Sequence, residues 1–234
     1  GKQIKVNNEI LTIIDKKISF KDADVNEELI EEKHKFIKKL KEQSNLGFIH
    51  ATSIDNLDSI ISTGKLYSRH KCETLNIKFK DNANHEVLKI TDDNVKKNVR
   101  FYFRPKTPTL CNFYSNDHNI CLLIFDYNII DDYENGTIID RKPMNKFKKE
   151  YKLNSIVDMS KISDEFDYQK VFYKDFVDYY SPIWDYKSAE LLINYSVDIK
   201  YLKEIIFPSE NALNEFKKKH SDYNIKVTYN REVF

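Results

Sequence analysis

One acidic residue, Glu190, stands inside an otherwise apolar run made of Ala189 and residues 191–193. In a β-strand, alternate side chains point to opposite faces, so Glu190 would share a face with Leu192 and be half-buried. A carboxylate in such a place costs free energy unless a donor or cation pairs with it. The pattern leaves two interpretations, a functional carboxylate or an exposed glutamate at a sheet edge.

A second candidate pair, His50 and Thr52, lies in a predicted strand over Phe48–Thr52. Their spacing of two residues places both side chains on one face of that strand. There they could bind a polar ligand, and the alternative is a histidine whose hydrogen bonds are satisfied in the core. The segment Arg100–Pro108 is the third candidate region.

The sequence lacks the motifs of several common enzyme classes. It has no glycine-rich phosphate loop, no GxSxG and no HExxH, which disfavours P-loop enzymes, α/β-hydrolases and common metallohydrolases. The three cysteines, Cys72, Cys111 and Cys121, form no CxxC pair. Neither a disulfide framework nor a zinc site is therefore predicted.

The elements that would position these residues are short strands mixed with helices. Alternation and buried apolar runs predict strands at Phe48–Thr52, Val99–Arg104, Ile120–Phe125, Thr137–Asp140, Lys203–Phe207 and Ile225–Tyr229. Helical spacing and caps predict helices over 24–43, between Ser53 and Gly64, from Thr107, from Ser163 to Pro182, and over Asn211–His220. Residues 188–195 fit either state, and residues 71–98 form a long polar loop with at most one helical turn. This mixture predicts an α+β fold.

Composition limits the kinds of partner. The chain has 234 residues, of which 41% are hydrophobic, which fits either one large domain or one domain with a terminal extension. Charged residues make up 32% but leave a net charge of +1, which disfavours a general polyanion binder and still permits a local basic groove. No apolar run reaches the roughly 20 residues that span a bilayer. No signal peptide pattern is present either, so we expect a cytoplasmic protein.

Five segments, in order along the chain, resemble one family. They are FIHATSIDNLDSIISTGKLYS (Phe48–Ser68), VRFYFRPKTPTLCNFY (Val99–Tyr114), GTIIDR (136–141), KSAELLINYSVDIKYLKEIIFPS (187–209) and NIKVTYNREVF (224–234). Together they are similar to the DarT-type ADP-ribosyltransferases, which modify bases in nucleic acid. The resemblance covers about residues 47–234 and leaves out residues 1–46, which we expect to form an extension whose amphipathic helix packs on the main domain.

The resemblance implies a split, strongly twisted β-sheet with flanking helices and NAD⁺ in its cleft as co-substrate, with no metal. Glu190 would hold the 2′-hydroxyl of the nicotinamide ribose and help take a proton from the attacking base. His50 and Thr52 would contact NAD⁺, and Asn56 and Tyr102 would line the pocket. The resemblance also implies single-stranded DNA or RNA as acceptor, a cognate antitoxin and a role in toxin–antitoxin or phage-defence systems.

One departure from the family concerns charge. DarT enzymes that modify thymidine carry an arginine in the loop before the Phe-Tyr-Phe block, and residues 71–99 contain none. Arg69, Arg100 or Arg104 are the candidates to stabilise charge in its place, with Lys89 as a further one, although lysine and arginine are not equivalent. Two other functions stay open, an ADP-ribosyltransferase acting on protein and an inactive binding module on the same fold.

Two further expectations concern the surface of the cleft. The loop 71–98 is expected to cover it as a mobile lid, because lids come from weakly packed segments. Tyr67, Phe103 and Tyr114 are candidate surfaces on which bases could stack, with burial in the core as the alternative for each.

Overall fold

The computed structural model describes residues 26–80, 96–116 and 119–234. The strands are β1 (Phe48–Ser53), β2 (Lys65–Tyr67), β3 (Asn98–Tyr102), β4 (Ile120–Phe125), β5 (Gly136–Ile139), β6 (Glu150–Lys152), β7 (Glu190–Asn194), β8 (Ser196–Asp198), β9 (Leu202–Phe207) and β10 (Lys226–Tyr229). The helices are α1 (26–43), α2 (Leu57–Thr63), α3 (Arg69–Thr74), α4 (Pro108–Asn116), α5 (Ile129–Asp132), α6 (Ile156–Glu165), α7 (Tyr168–Val171), α8 (Pro182–Tyr186) and α9 (Glu210–Lys219).

Eight of the strands form one sheet in the order β10-β9-β4-β1-β3-β7-β5-β6. Neighbours are antiparallel except β9 and β10, which are parallel. Strands β1 and β3 share a single registered pair, Ile49 with Tyr102, so the sheet is split between them. Strands β2 and β8 form a separate antiparallel pair. The predicted α+β fold with a split sheet is confirmed.

The two faces of the sheet carry cores of different size. Alternating residues send Phe48, Phe101 and Leu191 into a large cluster that the helices cover. Their strand neighbours Ile49 and Tyr102 lie in a smaller cluster with side chains of β4, β9 and α4. Each face is therefore buried, which explains why the central strands read as nearly continuous apolar runs.

Helix α1 packs against the larger cluster. Its residues Phe36, Ile37 and Leu40 are buried there, and Phe36 meets Phe166 edge to face at 5.5 Å between ring centroids. The ammonium group of Lys39 also donates to a backbone carbonyl in α6. The helix was predicted over 24–43, and its first two residues lie outside the described ranges. The division of the chain at residue 46 stays a prediction.

The predicted helix from Ser163 to Pro182 is wrong. Helix α6 begins earlier, because the hydroxyl of Ser155 caps it by accepting from the amide of Asp158 at 3.2 Å. Ser163 lies inside that helix, close to its end. Pro182 begins α8 instead of ending a helix, which suits a residue without an amide hydrogen.

The predicted loop 71–98 is described in part. It opens on α3, which supplies the expected helical turn, and residues 81–95 lie outside the described ranges. The lid therefore stays a prediction. Strand β3 ends at Tyr102, two residues short of the predicted end at Arg104, and the ambiguous segment 188–195 holds strand β7. In the ranges described, none of the helices combines the length and apolar character needed to cross a membrane.

Candidate active site

Glu190 is the first residue of β7 and lies in the middle of the large sheet. It is registered opposite Tyr102 of β3 on one side and Ile139 of β5 on the other. The side chain is 1% exposed. The alternative of an exposed edge glutamate is therefore wrong, and burial is more complete than the half-buried position predicted.

The carboxylate of Glu190 is paired with the guanidinium of Arg100. Nε of Arg100 donates to Oε2 at 2.9 Å, and Nη2 donates to Oε1 at 2.6 Å. Arg100 is registered opposite Leu192, one diagonal step from Glu190 on the same face, which brings the two long side chains together. This bidentate ion pair uses both carboxylate oxygens and offsets the cost of burying the charge. The nearby carboxylate raises the pKa of Arg100, so the arginine stays charged.

His50 lies in β1 and forms a hydrogen bond across the split in the sheet to β3. Its Nδ1 lies 2.9 Å from the backbone oxygen of Arg100, and because that oxygen can accept only, Nδ1 carries the proton. Burial, with a smaller effect of the charge on Arg100, lowers the pKa of His50. The imidazole is therefore neutral at pH 7, with Nε2 as a hydrogen-bond acceptor.

Thr52 and Asn56 anchor a neighbouring segment. The amide nitrogen of Asn56 donates to Oγ1 of Thr52 and to the backbone oxygen of Lys80, both at 3.0 Å, and its oxygen accepts from the amide of Lys80 at 2.7 Å. Both side chains are buried. Asn56 thus joins Thr52 of β1 to the backbone of Lys80. Their contact with NAD⁺ stays a prediction.

Tyr102 forms part of the wall behind Glu190. It is buried in the smaller cluster. Desolvation raises the pKa of Tyr102 to about 12, with Glu190 adding to the increase and Arg100 opposing it. The phenol therefore keeps its proton at neutral pH. Its predicted place against a nicotinamide ring also stays a prediction.

Of the three candidate arginines, Arg100 alone joins Glu190 in the described part of the chain. Arg104 lies beyond the end of β3, and its Nη1 donates to the backbone oxygens of Val171 and Tyr173. Burial lowers the pKa of Arg104. Arg69 begins α3 with its guanidinium 5.7 Å from the ring of Phe79. Lys89 lies outside the described residues.

The three candidate surfaces for base stacking differ in burial. Phe103 is 1% exposed and belongs to the core, so it is not a platform. Tyr114 packs against Phe234 at 5.0 Å between ring centroids. Tyr67, in β2, is half-buried. The sequence reading missed an exposed aromatic stretch, residues 173–180, and the buried Lys187 beneath it.

Within residues 26–80, 96–116 and 119–234, no group of three or more histidine, cysteine, aspartate and glutamate side chains is arranged to hold a metal ion. The groups gathered around the split are instead a carboxylate, a guanidinium and a neutral imidazole. That set can bind hydroxyl and phosphate groups and can accept a proton.

Comparison with known proteins identifies similar sequences and structures. Residues 49–233 match the sequence model of a family described as ssDNA thymidine ADP-ribosyltransferase, DarT. The DarT of Thermus sp. 2.9 in complex with NAD⁺ has 18% identity and a TM-score of 0.63 over 82% of this chain and 98% of that chain. The same protein in complex with ADP-ribosylated ssDNA has 17% identity and a TM-score of 0.64, over 80% and 95%.

A third similar structure is Thermosipho africanus DarTG in complex with ADP-ribose. It has 18% identity and a TM-score of 0.64, covering 80% of this chain and 50% of that chain. No curated protein matches the sequence. At these identities the structures establish the fold, a DarT-like split sheet.

Proposed function

The chain belongs to the DarT family of NAD-dependent ADP-ribosyltransferases, and from that premise we propose that it transfers ADP-ribose from NAD⁺ to a base in single-stranded DNA. One observation carries the assignment of the site. Glu190 is buried beside the split in the sheet, and Arg100 donates a hydrogen bond to each of its carboxylate oxygens. A buried ion pair adds little net stability, because the cost of desolvating the two charges offsets their attraction. A functional reason for burying this pair is therefore favoured.

The groups around the split suit the chemistry of the transfer. The bond between the ribose C1′ and the nicotinamide nitrogen breaks, and a bond between C1′ and a base nitrogen forms. Neutral nicotinamide leaves, and the base gives up one proton. We assign Glu190 to accept the hydrogen bond of the ribose 2′-hydroxyl, to stabilise the positive charge that grows at C1′ and to take the proton from the base.

The neighbouring side chains have supporting roles in this proposal. Nε2 of His50 accepts a hydrogen bond from a ribose hydroxyl, because Nδ1 is committed to the backbone of Arg100. Arg100 donates to both carboxylate oxygens of Glu190 and fixes the orientation of its side chain. Thr52, Asn56 and Tyr102 shape the walls of the pocket.

Single-stranded DNA is the acceptor that the family description and the Thermus complex support. A base inside a duplex cannot meet C1′ in the cleft unless it is unstacked and flipped out, whereas a single strand avoids that cost. The absence of an arginine from residues 71–99 makes the identity of the base a separate question. We propose thymidine, in line with the family description.

The test is mass spectrometry of oligonucleotides incubated with the protein and NAD⁺. DNA and RNA of one sequence are compared, each single- and double-stranded, with a second DNA in which every thymidine is replaced. We expect the mass of one ADP-ribose on single-stranded DNA containing thymidine, and suppression by the complement. Modification of RNA alone or of a protein alone would overturn the DNA assignment, and no NAD⁺ turnover would favour an inactive binding module.

We also propose that the protein acts in the cytoplasm as the toxin of a pair with a cognate antitoxin. The similarity to a protein named DarTG supports this proposal. A transferase that modifies DNA bases would block replication and arrest growth. Expression should therefore stop growth in a cell without the antitoxin, the Glu190→Gln variant should not, and co-expression of the neighbouring gene's product should restore growth. Growth arrest by the variant would argue against toxicity through transfer.

Loss of plaque formation by a phage in cells that carry the pair would extend the role to defence.

A further inference from the structure

An open groove of about 580 Å³ runs along helix α1, between this helix and the start of α5. The side formed by α1 is lined by His34, Ile37, Lys38, Lys41 and Glu42, and the opposite side includes Asp131. Helix α1 lies outside residues 49–233, so the family match does not include this groove. Its volume falls within the roughly 300–1,000 Å³ of ligand pockets, enough for several side chains of a peptide.

Direct contacts hold the two sides of the groove together. Lys33 of α1 is 2% exposed, and its Nζ lies 3.5 Å from the backbone oxygen of Asp131. One residue further along α1, Nε2 of His34 lies 3.2 Å from Oδ2 of Asp131. The groove therefore has walls of fixed spacing, which lowers the entropy that is lost when a segment binds in it.

The exposed lysines of α1 differ in whether they have a partner. Lys35 and Lys39 each form an ion pair with a nearby carboxylate. Lys38 and Lys41, which both line the groove, have no ion-pair partner among the residues that the structure describes. They lie one helical turn apart on the same side of α1. The groove therefore offers two ammonium groups to a ligand that carries carboxylates.

The groove side of α1 also offers apolar contact area. Ile37 lines the groove beside the methylene chains of the two lysines. Ile30 is 38% exposed and precedes His34 by one helical turn on the same side of the helix. A ligand that fits this surface combines apolar side chains with negative charge.

The chain itself contains a segment of this kind. Glu9–Asp15, with the sequence EILTIID, has four apolar side chains between two carboxylates, and it contains no cation. It lies before the described ranges, and ten residues, 16–25, connect it to the start of α1. Ten extended residues span up to about 35 Å. The middle of the groove, at Lys38, is only about 18 Å along the helix axis from residue 26.

The order of charges along α1 matches a chain that turns back at residue 26. The groove side of α1 is acidic in its first half and basic in its second, with Glu27, Glu31, Lys38 and Lys41. A chain that turns back brings Lys16 and Lys17 to the acidic half and Glu9–Asp15 to the basic half. Opposite charges therefore meet along the whole length of the helix.

We infer that Glu9–Asp15 binds in this groove of the same molecule, with its apolar side chains on Ile37 and its carboxylates at Lys38 and Lys41. The N-terminal extension is then attached to the domain twice, by the buried face of α1 and by this segment. The groove lies on the face of the sheet opposite the side chain of Glu190, because the next residue, Leu191, points into the cluster that α1 covers. Binding there leaves the catalytic carboxylate open.

Cross-linking with a carbodiimide tests the contact in the full chain. The reagent joins a carboxylate to an amine as an amide, with loss of water, so it links only groups that touch. Peptide mass spectrometry should find Glu9 or Asp15 joined to Lys38 or Lys41, and the absence of all such links would overturn the inference. In an equal mixture of ¹⁵N-labelled and unlabelled protein, the linked peptides should carry one label only. Mixed labels would show that a second copy fills the groove, which would also overturn it.

Charge reversal with hydrogen exchange gives an independent readout. In Lys38→Glu/Lys41→Glu, exchange at the amides of Ile10–Ile14 should speed up roughly 2- to 30-fold, the effect of losing two exposed ion pairs. Glu9→Lys/Asp15→Lys should have the same effect. The four substitutions together should return exchange to the wild-type rate, because the charges are complementary again. Unchanged exchange in both double variants, or no recovery in the fourfold variant, would overturn the inference.

The control for these variants is Lys217→Glu/Lys218→Glu, at the end of α9, which changes the net charge by the same amount. It should leave exchange at residues 10–14 as in the wild type, and faster exchange there would overturn the inference by showing a general effect of charge. Transfer of ADP-ribose should be equal in all of these proteins, because the groove is on the other face of the sheet. The cross-link does not depend on transfer, so this inference and the proposed function fail separately.

Discussion

The replacement of Arg100 by methionine tests the ion pair at the centre of the site. Methionine keeps an unbranched apolar stem and removes the guanidinium that holds both oxygens of Glu190. Glu190 is 1% exposed, so the variant leaves a buried carboxylate without its cation. The backbone oxygen of Arg100, which accepts from His50, is kept. The substitution therefore removes one interaction and spares the other.

The expected cost follows from the geometry. Breaking a buried ion pair costs about 3–5 kcal/mol, because an uncompensated charge stays behind. The side chain of Arg100 is 38% exposed, so water screens the pair and reduces this figure. We expect the free energy of unfolding to fall by about 2–3 kcal/mol in Arg100→Met. Adding Glu190→Gln removes the stranded charge and should restore at least about 1 kcal/mol.

Urea denaturation of the wild type, both single variants and the double variant provides the measurement. Lys226→Met is the control. Lys226 forms an ion pair with Glu204 at the far end of the sheet, and the lysine is mostly exposed. Such a pair contributes under about 1 kcal/mol to the free energy of unfolding. If the losses in the free energy of unfolding of the two single variants sum to the loss of the double variant within about 0.5 kcal/mol, the coupling between Arg100 and Glu190 is refuted. An Arg100→Met protein as stable as the wild type would refute it as well.

Three further outcomes are expected. Burial lowers the pKa of His50, so the imidazole takes up its proton at higher pH in the unfolded chain than in the folded protein, and stability falls as pH drops below about 6.5. Between pH 7.5 and 5.5 the urea midpoint should therefore drop less in His50→Gln than in the wild type. An equal drop in the two proteins would argue against the neutral imidazole. Asn56→Ala removes three hydrogen bonds and should speed hydrogen exchange at the amide of Lys80, whereas unchanged exchange would contradict the anchor. Leu40→Ala should lower the free energy of unfolding by about 2–5 kcal/mol in denaturant titration, since Leu40 is fully buried, and a negligible loss would show that α1 is not part of the core.

The sequence located the acid of the site but could not locate its partner. Glu190 was recognisable because a carboxylate inside an apolar run needs a reason. Arg100 lies 90 residues earlier, and its contact depends on the register between β3 and β7, which sequence periodicity does not specify. Arg69 and Arg104 were equally plausible in sequence, and tertiary structure engages both elsewhere.

The helix predicted from Ser163 failed because apolar spacing does not distinguish a buried face from an exposed one. Phe166 and Phe176 fit a helical period, yet one is buried and the other is 92% exposed. The helix begins after Ser155, whose hydroxyl caps it by accepting from the amide of Asp158. The apolar pattern of the sequence does not indicate this start. The exposed aromatics were missed for the same reason, since an aromatic residue in sequence is first read as core.

The substitution Glu190→Gln tests the central claim most directly, because it keeps the size of the side chain and removes its charge. Transfer of ADP-ribose to a single-stranded DNA containing thymidine is followed by mass spectrometry, beside a thermal unfolding curve of each protein. We predict that transfer falls by roughly 10²–10⁴-fold, the usual contribution of a positioned acid–base group, and that the unfolding midpoint falls less than in Arg100→Met, because the arginine left without its partner is 38% exposed to water. Transfer by Glu190→Gln at a rate near that of the wild type would contradict the assignment of Glu190 as the catalytic carboxylate.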